Sequence, residues 1–210
     1  MNNNEVLSDA FKWMFIGLLI SGITAYFTSY VFDNLSAGLI LISAVLEIVV
    51  ALIFNIRIKK LSPTSALSLY LIYAVLTGFS LNSIFLLYTE SSITLVFLIT
   101  ACVFAIFALI GKNTNINLAK YGIYLFVALI GCLILTIVNI FIQSASLNLM
   151  ICYISIIVFC LYIAYDVNML LNSHYLDDTN NKGIYFAFQL FVDFINLFIR
   201  LLELFGKRKD

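Results

Sequence analysis

Four acidic residues, Glu47, Asp166, Asp193 and Glu203, stand inside long apolar runs of the chain. An ionisable group near the centre of a bilayer costs about 2.5–3.5 kcal/mol, so it normally faces a protein interior and has a partner there. Asp166 lies about one and a half turns before the end of its run. Asp193 lies about three turns after the start of the next, at roughly 1.5 Å of rise per residue. Their depths can therefore match. Two carboxylates within a few Å of each other in a low-dielectric site cannot both ionise cheaply, so the spacing predicts a pair that shares one proton near neutral pH. Arg57 stands at the edge where the second apolar run ends. It can pair with either aspartate as a latch that depends on their protonation, or snorkel to the interface beside Lys59 and Lys60. Spacing alone supports both.

The last run adds a polar seam. Gln189, Asp193, Asn196, Arg200 and Glu203 follow one another at steps of four, three, four and three, which stacks them on one helix face. The remaining faces are Phe, Leu, Ile and Val, as expected of a helix enclosed by others whose polar side lines a passage. Arg200 and Glu203, at i and i+3, are expected to satisfy each other.

The elements carrying these residues follow from composition. Of 210 residues, 63% are hydrophobic and 10% charged, with a single proline, and the mean hydropathy is +1.09. A soluble domain is about a quarter charged, so disorder, collagen, nucleic-acid binding and disulfide scaffolds are all excluded. Eleven Lys/Arg balance eleven Asp/Glu, leaving no net field to attract polyanions. A transmembrane helix needs roughly 20 mostly apolar residues. Seven such runs occur, near 11–32, 35–56, 65–88, 92–111, 121–142, 147–171 and 183–205, joined by short polar segments. With no water for the backbone, continuous apolar blocks must be helical. The expected fold is all-α, a single integral membrane domain over 1–210.

Orientation follows from the bases in short joints. Arg57, Lys59, Lys60, Lys112 and Lys120 mark one side, and the alternate joints carry Asp33, Glu90 and no base. The basic side is read as cytoplasmic, which puts the N-terminus inside. Seven crossings, favoured by the length of 183–205, would then send the basic C-terminus outside, against the same rule, unless the last helix is re-entrant or is held as a central helix by packing. Residues 1–10 hold two acids and no base, unlike a cleaved leader.

Three segments carry a further signal. Leu161–Leu170 reads LYIAYDVNML, Ala187–Gly206 reads AFQLFVDFINLFIRLLELFG, and Leu61–Phe85 reads LSPTSALSLYLIYAVLTGFSLNSIF. Together they resemble the Bax-inhibitor family, also called the transmembrane Bax inhibitor motif family, over essentially the whole chain. The resemblance implies six helices wrapped around a central C-terminal one, and a pH-sensitive calcium leak channel. It implies that Asp166 and Asp193 are the proton-sharing aspartates, that Arg57, in its R-x-x-x-L-S-P context, is the latch arginine, and that Glu47 matches an acid in helix two. Calcium prefers six to eight oxygen ligands, so water, backbone carbonyls, Glu47 or Asn196 would complete a transient site at Asp166 and Asp193. No resident cofactor is expected. Calcium is the permeant ion, protons its competitor, and Glu47, Gln189, Asn196, Arg200 and Glu203 pore-lining candidates.

Other readings differ in class. An aspartyl intramembrane protease also pairs two aspartates, one of them in a Y-D dipeptide like Tyr165-Asp166, but its second lies in G-x-G-D, whereas Asp193 lies in FVDF. A proton-coupled transporter would show matched broken helices, and Pro63 falls in a joint. His174, with Asp177 and Asp178, reads as a solvated loop. Cys102, Cys132, Cys152 and Cys160 read as packing residues rather than a metal site, and Trp13 and Tyr121 as interfacial anchors. The low charge and compact loops suggest a bacterial inner membrane, with the lipid bilayer as partner; a monomer is one option, and the chain does not set the oligomeric state.

Overall fold

The computed structural model describes residues 3–31, 37–172, 176 and 180–209. Asp33, His174, Asp177 and Asp178 lie outside these residues. Among the described residues the chain forms seven α-helices: α1 (Asn3–Val31), α2 (Ala37–Arg57), α3 (Pro63–Leu87), α4 (Glu90–Asn113), α5 (Gly122–Ile142), α6 (Ala145–Asn172) and α7 (Lys182–Phe205). A short 3-10 turn, Leu118–Tyr121, leads into α5. No strand occurs among them, apart from a single antiparallel bridge between Tyr88 and Arg208. The all-α membrane architecture expected from the apolar runs is the one observed. Among the described residues, six helices, α1 and α3 to α7, are long and apolar enough to cross a bilayer. At 1.5 Å per residue, α2 reaches about 31 Å, close to the hydrocarbon thickness.

Helices α1, α4, α6 and α7 begin before their expected spans, because a helix does not stop where the hydrocarbon does. α1 already begins at Asn3. Pro63 is not in a joint but opens α3, with Ser62 as N-cap accepting from the Ser65 N–H. Proline suits that position because its missing N–H is one the first turn would leave unpaired anyway.

The chain divides into two compact units, with α7 contributing to the first up to Phe191 and to the second from Val192. In the first unit α1 and α3 approach closely. A methyl on Gly17 would lie 2.0 Å from the Tyr70 hydroxyl oxygen, and that hydroxyl donates to the Trp13 carbonyl at 2.9 Å. Small residues let membrane helices come close enough for such bonds. Phe188 of α7 stacks on Phe54 at 4.5 Å between ring centroids, and Phe191 meets the edge of Tyr70 at 5.8 Å.

Two sets of contacts fix the path of α7. The Asn181 side-chain amide donates to the carbonyls of Ile58 at 2.9 Å and Leu61 at 2.8 Å, at the α2–α3 joint. Beyond α7, the Lys209 N–H donates to the Leu87 carbonyl at 2.9 Å and its ammonium to the Phe85 carbonyl at 2.8 Å. The segment that opens α7 therefore lies at the start of α3, and the tail that leaves α7 lies at the end of α3. The two ends of α7 thus lie at the two ends of α3, in the same order. The basic tail lies on the side opposite Arg57, Lys59 and Lys60.

In the second unit Phe194 of α7 packs against Phe97 at 5.2 Å and Phe104 at 5.6 Å. α4 and α6 touch through their backbones, since a methyl on Gly111 would lie 2.2 Å from the Ala164 carbonyl oxygen. Leu190, Phe191, Leu197 and Leu202 of α7 are fully buried, while α5 presents Ile123, Tyr124, Phe126 and Val127 outward. Cys132, Cys152 and Cys160 are buried free thiols, as expected of packing residues, but Cys102 is exposed.

Candidate functional site

Asp166 of α6 and Asp193 of α7 come together in the second unit. Each is only 5% exposed, and their carboxyl groups lie within hydrogen-bonding reach of each other. Asp166 is about 9 Å from the end of α6 and Asp193 about 16 Å from the start of α7 along the helix axes. Tyr162 lies one turn before Asp166 on α6. Among the described residues, no N–H or hydroxyl donates to the fully buried Asp193 Oδ2. A carboxyl–carboxyl hydrogen bond requires one proton, since two carboxylates offer only acceptors.

Asn168 sits two residues beyond Asp166 and is buried. Its Oδ1 accepts from the Leu118 N–H at 3.1 Å and its amide donates to the Gly111 carbonyl at 3.3 Å. One side chain thus ties the α4–α5 joint to the segment of α6 that carries the aspartate. Asn168 was visible in the sequence only as a polar residue in an apolar run. Its two partners are backbone groups 50 and 57 positions away, and no sequence pattern marks those.

The other acids are engaged elsewhere. Glu47, half-buried on α2, belongs to the first unit, where the Ser80 hydroxyl of α3 donates to it. Ser43 and Ser80 share a hydrogen bond at 3.1 Å. Glu203 forms the expected ion pair with Arg200, at 2.9 Å, and also accepts from the Cys152 thiol at 3.1 Å, a partner that spacing did not suggest. Gln189, Asn196 and Arg200 are half-buried, whereas Asp193 is sunk beside them. The Asn196 amide is spent on the Val192 carbonyl at 2.8 Å, which leaves its Oδ1 as an acceptor. Arg57 ends α2 with an exposed side chain. Among the described residues its guanidinium has no ion-pair or hydrogen-bond partner.

Among the described residues, no group of three or more His, Cys, Asp or Glu comes together. A cation at the aspartate pair would therefore draw most of its six to eight oxygens from water and backbone carbonyls. A site built that way releases its ion readily.

The family model described as "Inhibitor of apoptosis-promoting Bax1" matches residues 3–210. The chain belongs to the Bax inhibitor family. Among its relatives in that family is an inner membrane protein of Escherichia coli (strain K12), YbhL, 36% identical over 97% of this chain and 92% of its own length. An uncharacterized protein of Borreliella burgdorferi is 36% identical over 99% of this chain and 94% of its own length. One of Rickettsia prowazekii is 33% identical over 95% and 88%. With six helices fit to cross a bilayer, this Bax inhibitor family member is a multi-pass integral membrane protein.

Proposed function

We propose that this protein is a pH-sensitive calcium leak channel of a bacterial inner membrane, with its N-terminus in the cytoplasm. Asp166 and Asp193 hold one proton between them, and calcium competes with that proton for the carboxylates. The ion passes along the polar face of α7, over Gln189, Asn196, Arg200 and Glu203, with Glu47 as a further carboxylate on α2. Arg57 is the cation assigned to the latch. The single observation that carries this reading is the buried contact between the two aspartates, with no N–H or hydroxyl donating to Asp193 Oδ2. An acid pair so enclosed changes its charge with pH and can bind a divalent cation only by giving up its proton.

Calcium flux into liposomes containing the purified protein, measured against pH, tests the reading. Flux should fall as pH is lowered through neutrality, because protons then occupy the carboxylates. Asp166→Asn and Asp193→Asn should each flatten that dependence. A pH profile unchanged in both variants would reject the aspartate pair as the sensor.

A further inference from the structure

We infer that the second unit carries a binding site for an anionic phospholipid, one acyl chain of which occupies the cavity between α4, the 3-10 turn, α5 and α6. The cavity has a volume of about 520 Å³ and is walled by Phe107, Leu118, Tyr121, Tyr124, Leu125 and Tyr165. That volume lies within the range of pockets that enclose small ligands, roughly 300–1,000 Å³. The wall is almost wholly apolar and aromatic, so its occupant is a hydrocarbon rather than an ion.

The cavity opens where α4 ends and α5 begins, at the membrane surface. There Tyr121 and Tyr124 are 42% and 71% exposed. Tyrosines favour that depth, with the ring in hydrocarbon and the hydroxyl at headgroup level. The rim is basic. The Lys120 ammonium stands 5.0 Å from the centroid of the Tyr121 ring, which itself forms part of the wall. Lys112 lies on the same joint, and residues 111–125 contain no Asp or Glu. A basic rim above an apolar slot between membrane helices matches a phosphate headgroup with its acyl tail below. A zwitterionic lipid would bring a choline cation against the same lysine.

The cavity is a half-open slot whose frame is held in place. Asn168 and the Gly111–Ala164 contact hold the helix ends that frame it, and Tyr165 of its wall directly precedes Asp166. The lipid site stands on the cavity and its rim and does not depend on calcium transport.

Native mass spectrometry of the full chain tests this, with protein released from micelles containing phosphatidylglycerol or phosphatidylcholine at equal mole fraction. Phosphatidylglycerol should be retained about fivefold more, the gain expected from one lysine at an anionic headgroup. Lys120→Gln, an exposed substitution, should erase that preference, and Leu125→Trp should reduce retention of both lipids by filling the slot. A second readout uses the single tryptophan of the chain, Trp13. In a Trp13→Phe, Tyr124→Trp double variant, brominated phosphatidylglycerol should quench fluorescence more than brominated phosphatidylcholine. Equal retention and equal quenching by the two lipids would overturn the proposal, as would an undiminished preference in Lys120→Gln or undiminished retention in Leu125→Trp.

Discussion

Gly111 of α4 faces the Ala164 carbonyl of α6 so closely that an added methyl would lie 2.2 Å from its oxygen. The obstructing atoms are backbone, so no rotamer change relieves the clash. Gly111→Ala should lower stability by about 1–3 kcal/mol, the usual cost of overpacking. Gly131→Ala, where nothing lies within 4 Å of the added carbon, should leave stability unchanged or raise it by about 0.5–1 kcal/mol. Thermal unfolding of both variants in the same detergent checks the contrast.

Asn168 satisfies one backbone donor and one backbone acceptor of the α4–α5 joint from inside α6. Asn168→Ala strands both, at about 1–3 kcal/mol for each buried group. The expected readout is a lower unfolding temperature with faster hydrogen exchange at the Leu118 amide. Unchanged exchange there would show that the joint is held by other means.

Asn181 places two N–H donors against two carbonyls of the α2–α3 joint. Asn181→Asp, of nearly equal size, turns a donor into a charged acceptor facing those carbonyls. It should therefore destabilise more than Asn181→Ala, which only removes the bonds. Unfolding temperatures should rank wild type above Ala and Ala above Asp.

The α2–α3 joint and the C-terminal tail lie at opposite ends of α3. With the native thiols replaced by alanine, Lys59→Cys and Lys209→Cys should react with a membrane-impermeant maleimide from opposite faces of sealed vesicles. Labelling of both from one face would contradict the path of α7.

Arg57 ends α2 with an exposed side chain and no partner among the described residues. If it closes the leak by pairing with the aspartates, Arg57→Gln should raise basal calcium flux in liposomes and change its pH dependence, leaving only proton competition at the carboxylates. Unchanged flux and an unchanged pH profile would reject the latch.

How much of this was legible beforehand depends on the range of each interaction. The Arg200–Glu203 pair spans a single turn of one helix, so sequence spacing gave it directly. Asp166 and Asp193 were legible because both sit in adjacent apolar runs at depths that helical rise can match. Asn168 and Asn181 stood in plain view as polar residues, but their partners are main-chain groups of remote segments. Cys152 looked like packing until its neighbour across the helix pair proved to be Glu203.

The amino-acid order by itself determined that the chain is helical and lives in a membrane, because apolar runs of about 20 residues leave the backbone no other way to satisfy its hydrogen bonds in hydrocarbon. It also determined which few charges must be sheltered. Only the tertiary structure decided that α7 begins at the start of α3 and leaves its basic tail at the far end of α3, away from the lysines of the α2–α3 joint. Hydrogen bonds to backbone carbonyls, from the Asn181 side-chain amide and from Lys209, fix both ends of that path, and the bias from charges in the joints is weaker than such packing.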